Sequence, residues 1–283
     1  MKLGKRYWYL RLLIVLVVGG LIAAYENANP PVMILLILLF AAMAINYERR
    51  SEIIFVLLGL FGLLYVVHYA INIRFAAQAL LLGILAGIRR NVTKNHEKDG
   101  KVEIRRDVFQ IISGIVFIAA FYYVNISHAT LIFLIIIMLG ISLGNYAIRF
   151  KKSILSRVLY LFERKEILFG YGALWLALGS LVAISFASLP YLLVIFGFLF
   201  ISDSLASIVG VIFGKPKLPY NEKKSIAGTL AYFLSGFVIA VFFVNPLIAI
   251  VLSFIAAIAE SFPYHIDDNF DIAVVITAIT LFI

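Results

Sequence analysis

Residues 191–213 read YLLVIFGFLFISDSLASIVGVIF, and after Gly214 the chain continues KPKLPYNEKK over residues 215–224. The first stretch is apolar enough and long enough to cross a bilayer as a helix. It nevertheless carries Asp203 well inside it. A carboxylate at the centre of a membrane helix costs roughly 2.5 to 3.5 kcal/mol, so such a residue faces a polar cavity, a metal ion or a partner. On a helix, Asp203, Ser207, Gly210 and Gly214 succeed one another at steps of four, three and four, which makes one narrow face that is polar and small. A bulky polar ligand would fit against it.

Outward from this stretch the chain is just as apolar. Hydrophobic residues make up 64% of the 283 positions, charged residues 14%, and the mean hydropathy is +1.06. That balance predicts an all-α, polytopic transmembrane helical bundle of 10–11 spans. Candidate segments run over 7–25, 30–46, 53–71, 73–88, 108–125, 129–148, 167–187, 191–213, 225–243, 246–259 and 270–283. The first apolar run, Tyr7 to Ala24, has no small-residue cleavage pattern and is expected to stay as the first helix. The chain has no cysteine, which rules out disulfides, thiolate metal sites and a cysteine nucleophile. Any metal must be held by oxygen or histidine.

The 24 Lys and Arg against 15 Asp and Glu give a net charge of +9, which reads as membrane topology and not as nucleic-acid binding. Of the 24 basic residues only Arg74 falls on the far side of these spans, so the amino terminus is expected in the cytoplasm. Residues 1–88 then form a four-span transmembrane scaffold, 89–107 a cytoplasmic loop, and 108–283 a second transmembrane region whose long charged connections all lie on the cytoplasmic face. The outer connections are too short to build a site.

Chemistry is therefore expected at the inner face. Lys215, Lys217, Lys223 and Lys224 crowd one loop with Pro216, Pro219 and Asn221, and Ser225 opens the next apolar helix. Lysines act as point charges on phosphate oxygens, and a helix start capped by Ser225 offers backbone N–H groups to the same anion, with Gly228 permitting close approach. The plainer reading is that these lysines only obey the inside-positive rule. Asp203 suits magnesium, which takes few carboxylates and completes its shell with water and substrate phosphates. The plainer reading here is a structural carboxylate paired with Arg164 or Lys165, which close the loop before the seventh span and could also reach a phosphate. A second acidic group, Glu260 with Asp267, Asp268 and Asp271, falls on the same side. Helix capping explains part of it, but not Glu260, which ends a span of Ala and Ile. No histidine pair has metal-ligand spacing.

The string Asp203, Ala206, Val209, Gly210, Phe213, Gly214, Lys217, Leu218, Pro219, Tyr220, Asn221, Lys224, Ser225, Ala227, Gly228 resembles the CTP-dependent lipid-alcohol kinases, typified by dolichol kinase and phytol kinase, distant relatives of the phosphatidate cytidylyltransferases. Weaker agreement extends to Glu163 and Gly170, and to Glu260 and Asp268–Asn269, so that it covers roughly residues 100–283. In one place the chain departs: where that family often has an Arg–Lys pair followed by a histidine, Arg106 is followed here by Asp107 and then Gln110. The resemblance implies transfer of the γ-phosphoryl of CTP to a dolichol-like or polyprenol-like alcohol that stays in the membrane. Asp203 and Asp268 would hold Mg²⁺. Lys224, Glu260 and Asp268 would join Asp203 in catalysis. Ser207, Gly210, Gly214, Lys215, Lys217, Asn221, Lys223, Ser225, Gly228, Arg164 and Lys165 would line the nucleotide. Cytidylyl transfer to a phosphatidate-like lipid, and a transporter or scaffold role, stay open at this point, as does whether the chain works alone or as a homodimer.

Overall fold

The computed structural model describes residues 73–74, 77–78, 80–81, 100–162, 170–263 and 267–283. The four expected spans of residues 1–88 therefore lie outside the described residues, apart from isolated helical positions between Ile73 and Leu81, as do Arg164 and Lys165. The chain forms two compact units, Met1–Lys94 with Thr130–Arg157 and Asn95–Ala129 with Val158–Ile283. The candidate site residues that are described all fall in the second.

The described chain is mostly helical, as expected. Its helices are α1 (Gly100–Tyr123), α2 (Ile126–Arg149), α3 (Ile154–Leu159), α4 (Tyr171–Phe186), α5 (Leu189–Phe196), α6 (Asp203–Phe213), α7 (Ile226–Ala240), α8 (Pro246–Ser261) and α9 (Asp268–Thr280). Two departures matter for the site. Helix α1 starts at Gly100, so the second half of the stretch expected as a loop is helical. And the lysine-rich loop is a two-stranded antiparallel hairpin, β1 (Lys217–Leu218) and β2 (Asn221–Ser225), inside what was expected to be all-α.

Among the described residues, two helical stretches are long and apolar enough to cross a membrane, Ile126–Ile148 and Leu189–Phe213. The second is a single rod: α5 passes through a π-helical segment, Gly197–Ser202, directly into α6. The Asp203 N–H donates to the Phe198 carbonyl, five residues back, which marks the wider turn. From Leu192 to Leu199 every side chain on this rod is buried, because neighbours surround it on all sides. Helix α1 and helix α7 both pack on the π segment and on α6; α8 packs on α7; α9 packs on α8 and α4.

Local sequence explains where these helices begin. Ser225 has extended backbone and its Oγ accepts from the Gly228 N–H at 3.1 Å, capping α7. Asn245 caps α8 with Pro246 in the first turn, and Asp267 caps α9 by accepting from the Asn269 N–H at 3.2 Å. Asn125, at the head of α2, accepts from the Ser127 N–H at 2.9 Å in the same way.

Close packing around the rod uses rings and small residues. Phe121 meets Phe196 edge-on at 5.3 Å, and Phe117 meets Phe200 at 5.6 Å, each such pair contributing about 0.5–1.5 kcal/mol. On the other flank, a Cβ on Gly236 would lie 3.0 Å from the Phe198 ring. A Cβ on Gly228 would lie 3.0 Å from the Ala206 carbonyl and 3.6 Å from the Gly210 Cα, so α6 and α7 cross there backbone to backbone. Replacing Gly228 by Val should force these helices apart and cost about 1–3 kcal/mol, which thermal unfolding in detergent would register as a lowered midpoint. An unchanged midpoint would mean that the crossing is looser than drawn.

Candidate active site

Asp203 is the first residue of α6, immediately after the π segment. It keeps some accessible surface while Ser202 and Ser204 on either side of it are buried. Ser204 is accounted for locally, its Oγ donating to the Phe200 carbonyl at 2.8 Å. Asp203 is held across the bundle instead: Gln110 of α1 donates from Nε2 to Asp203 Oδ2 at 3.3 Å and to the Leu199 carbonyl at 2.8 Å. One turn along α6, Ser207 lies near the Asp107 carboxylate, whose Oδ1 accepts from Arg106 at 3.0 Å and whose Oδ2 has no hydrogen-bond partner among the described residues. Glu103, Asp107 and Gln110, spaced four and three apart, thus give α1 a buried polar stripe against the Asp203–Ser207 face.

Lys224 lies near the end of β2, and its ammonium sits between two acids from separate helices. It is 2.5 Å from Glu260 Oε1 at the end of α8 and 2.6 Å from Asp268 Oδ2 at the start of α9. Glu260 is buried, and its other oxygen, Oε2, has no partner among the described residues. Burial works against the Lys224 charge, but the carboxylates of Asp268, Glu260 and Asp203 outweigh it and hold the amine well above the usual lysine range. Lys224 therefore stays an ammonium at any working pH. Lys224, Glu260 and Asp268 thus meet in direct contact, and Asp203 stands within electrostatic reach of them and of Asp107.

The hairpin that delivers Lys224 is fastened to α8. Asn221 Nδ2 donates to the Ser261 carbonyl at 2.9 Å, and the Tyr220 hydroxyl shares a 2.8 Å hydrogen bond with Ser261 Oγ. Asn221 Oδ1 also accepts from the Lys223 N–H at 3.1 Å. Asn221, expected as a nucleotide contact, has its side chain engaged in holding the hairpin. Gly210 and Gly228 likewise serve the α6–α7 crossing, where a Cβ on either would approach Ser225 Oγ. Lys215, Lys217 and Lys223 are exposed, make no ion pair among the described residues, and stay available to an anion. A Cβ on Gly214 would come within 3.4 Å of Lys217 Nζ, which puts that ammonium at the end of α6.

Three residues of this neighbourhood were given no site role from the sequence. Asp107 and Gln110 stood out there only as a departure from a pattern; their helical spacing with Glu103 was the available signal. Tyr232 is fully buried, its hydroxyl has no partner among the described residues, and it lies within electrostatic reach of Asp203, Glu260 and Asp268. It follows Gly228 by one helical turn, so it belongs to the same face of α7.

No group of three or more His, Asp or Glu side chains forms a metal cage among the described residues. The donor set still suits magnesium, which binds through one or two carboxylates and takes its remaining ligands from water and phosphate. Lys224 cancels only one of the two carboxylates that touch it, so a divalent cation would ease the approach of a polyphosphate to this point.

Removing the Lys224 charge leaves Glu260 buried with no counter-ion. Lys224→Met should therefore destabilise the protein by about 3 kcal/mol, and Glu260→Gln in the same chain should recover a good part of that loss. Thermal unfolding of the two single variants and the double variant in one detergent measures this, and strictly additive losses would break the pairing.

No family model matches the chain, and no solved structure matches it. Similarity to curated proteins is confined to part of its length. The chain is 28% identical over 144 residues to a probable chloroplastic phytol kinase of Triticum aestivum, covering 48% of this chain and 47% of that protein. It is 31% identical over 127 residues to the chloroplastic farnesol kinase of Arabidopsis thaliana, covering 39% and 41%. It is 30% identical over 98 residues to probable phytol kinase 1 of Glycine max, covering 28% and 32%. The chain thus spans less than half the length of these relatives. With the string from Asp203 to Gly228 and the site it builds, these matches make the chain a distant family-level relative of the phytol and farnesol kinases.

Proposed function

We propose that this protein is a multi-pass membrane phosphotransferase that moves the γ-phosphoryl group of CTP to a long-chain isoprenoid alcohol, at a site on its cytoplasmic face. The observation that carries this reading is the convergence of Lys224, Glu260 and Asp268, within electrostatic reach of Asp203, at helix ends beside a hairpin of exposed lysines. Phosphoryl transfer needs positioning and cationic charge more than covalent help, and these residues supply both. The relatives' names for phytol and farnesol point to the same class of acceptor.

Asp203 and Asp268 would hold Mg²⁺, which when bound neutralises charge on the nucleotide phosphates. The chain's own residues do the rest. Lys215, Lys217 and Lys223 draw the nucleotide to the hairpin, and Lys224 turns from Asp268 to the phosphate being transferred. Glu260, whose Oε2 is unpartnered, accepts the alcohol proton as the alcohol oxygen bonds to the γ-phosphorus. The bond from that phosphorus to the bridging oxygen breaks, and CDP leaves. The alcohol enters sideways from the bilayer with its tail still in lipid, so no deep soluble pocket is required. A dolichol-like or polyprenol-like chain would be accommodated in the same manner as phytol or farnesol.

The test is transfer of label from γ-labelled CTP or ATP, with Mg²⁺, to phytol, farnesol, a polyprenol and dolichol by the purified chain in detergent. CTP label should appear in a lipid monophosphate, and Asp203→Asn should lower the rate at least a hundredfold while the protein stays folded. Label passing instead from α-labelled CTP to a phosphatidate, or no transfer to any lipid, would overturn the reading.

A further inference from the structure

The contacts of Gln110 go beyond anything the kinase resemblance supplies, since this is where the chain departs from that pattern. Gln110 is buried on α1. A single nitrogen, Nε2, donates both to the Leu199 carbonyl at 2.8 Å and to Asp203 Oδ2 at 3.3 Å. An amide nitrogen has two hydrogens in one fixed plane, so engaging one on a backbone carbonyl fixes where the other points. The carbonyl in question belongs to the π segment, the place where the rod departs from regular α-helix just before Asp203. The same side chain therefore grips the irregular backbone and the carboxylate that this backbone presents.

The chemistry of the donor is as informative as its position. A lysine or arginine at this place would neutralise Asp203 and compete with any cation for it. A neutral amide orients the carboxylate and leaves its charge intact. Asp203 Oδ1 accepts no hydrogen bond among the described residues, so one oxygen is held and the other stays available.

We propose that Gln110 is a positioning residue for Asp203, clasping the π segment and the carboxylate together so that the latter meets its ligand in one orientation. The proposal rests on the phosphotransfer reading of this site for its purpose, and on the Gln110 contacts alone for its geometry.

The test uses the full chain in detergent, with Gln110→Met, which matches the side chain in length and lacks the donor, and Gln110→Ala, which also removes its bulk. Hydrogen exchange of the backbone across residues 197–204 and steady-state transfer from CTP to phytol are measured on each. Gln110→Met should speed exchange across that segment about fivefold, the loss expected of one hydrogen bond. It should lower kcat between about tenfold and a hundredfold with KM for the alcohol within about twofold, as for an interaction needed only in the transition state. If the Met variant matches wild type in kcat while the Ala variant fails, the side chain only fills space and the proposal is overturned. Exchange unchanged in the Met variant overturns the clasp itself. A wild-type chain that transfers nothing from any donor to any alcohol overturns the phosphotransfer reading and with it the purpose assigned to the clasp, while the exchange result still decides the geometry.

Discussion

The ammonium of Lys224 between Glu260 and Asp268 is the contact on which the site is assembled. Three separate pieces of chain end there: the hairpin, the last turn of α8 and the first turn of α9. Glu260 brings a buried charge that would be costly alone, and it is neutralised only when the hairpin sets Lys224 against it. The hydrogen bonds of Tyr220 and Asn221 to Ser261 hold the hairpin over this meeting point, one residue beyond Glu260. Ser225, next in sequence to Lys224, at the same time starts α7. In an extended strand, adjacent side chains point to opposite sides, so these two neighbours divide the work between site and scaffold.

Much of this was legible in the sequence because it depends on local chemistry. The helical segments α2 and α4 to α9 and the Ser225 cap follow from apolar run length and capping preference, whereas the short α3 fell in a stretch expected to be a connection. Asp203 and Glu260 were conspicuous as charges in apolar spans, while Lys224 and Asp268 each had a plainer reading, in membrane topology and in helix capping. What the sequence withheld was pairing. Lys224 read as a free phosphate ligand, whereas in the folded chain its partners are acids 36 and more positions away. Gly228 read as room for a phosphate, whereas the room is taken by α6. Asn221 read as a contact for nucleotide, whereas it is spent on Ser261.

The early start of α1 was hidden for a related reason. Residues 100–107 are polar, and in an apolar chain a polar stretch reads as a loop. Their helical face becomes meaningful only when α6 is set against it, where Gln110 finds Asp203. The hairpin was likewise concealed by its brevity: two residues of β1 carry no periodicity, and Pro216 and Pro219 argue only for a turn. The π segment leaves no mark in composition at all, since Phe198, Leu199 and Phe200 suit either kind of helix.

That segment has a consequence for how the rod combines two duties. A π turn holds one residue more than the α turn it replaces, and each residue of an α-helix advances about 100° around the axis. The faces of α5 and α6 are therefore phased independently: α5 can be apolar on every side for its place among its neighbours, while α6 is turned to bring Asp203 round to Gln110. Removing one residue between Gly197 and Ser202 would leave the rod's composition nearly unchanged and its span intact. The segment would then close as ordinary α-helix with the Asp203 face on nearly the same bearing; it is the same six residues wound regularly that would carry that face about 100° away from Gln110.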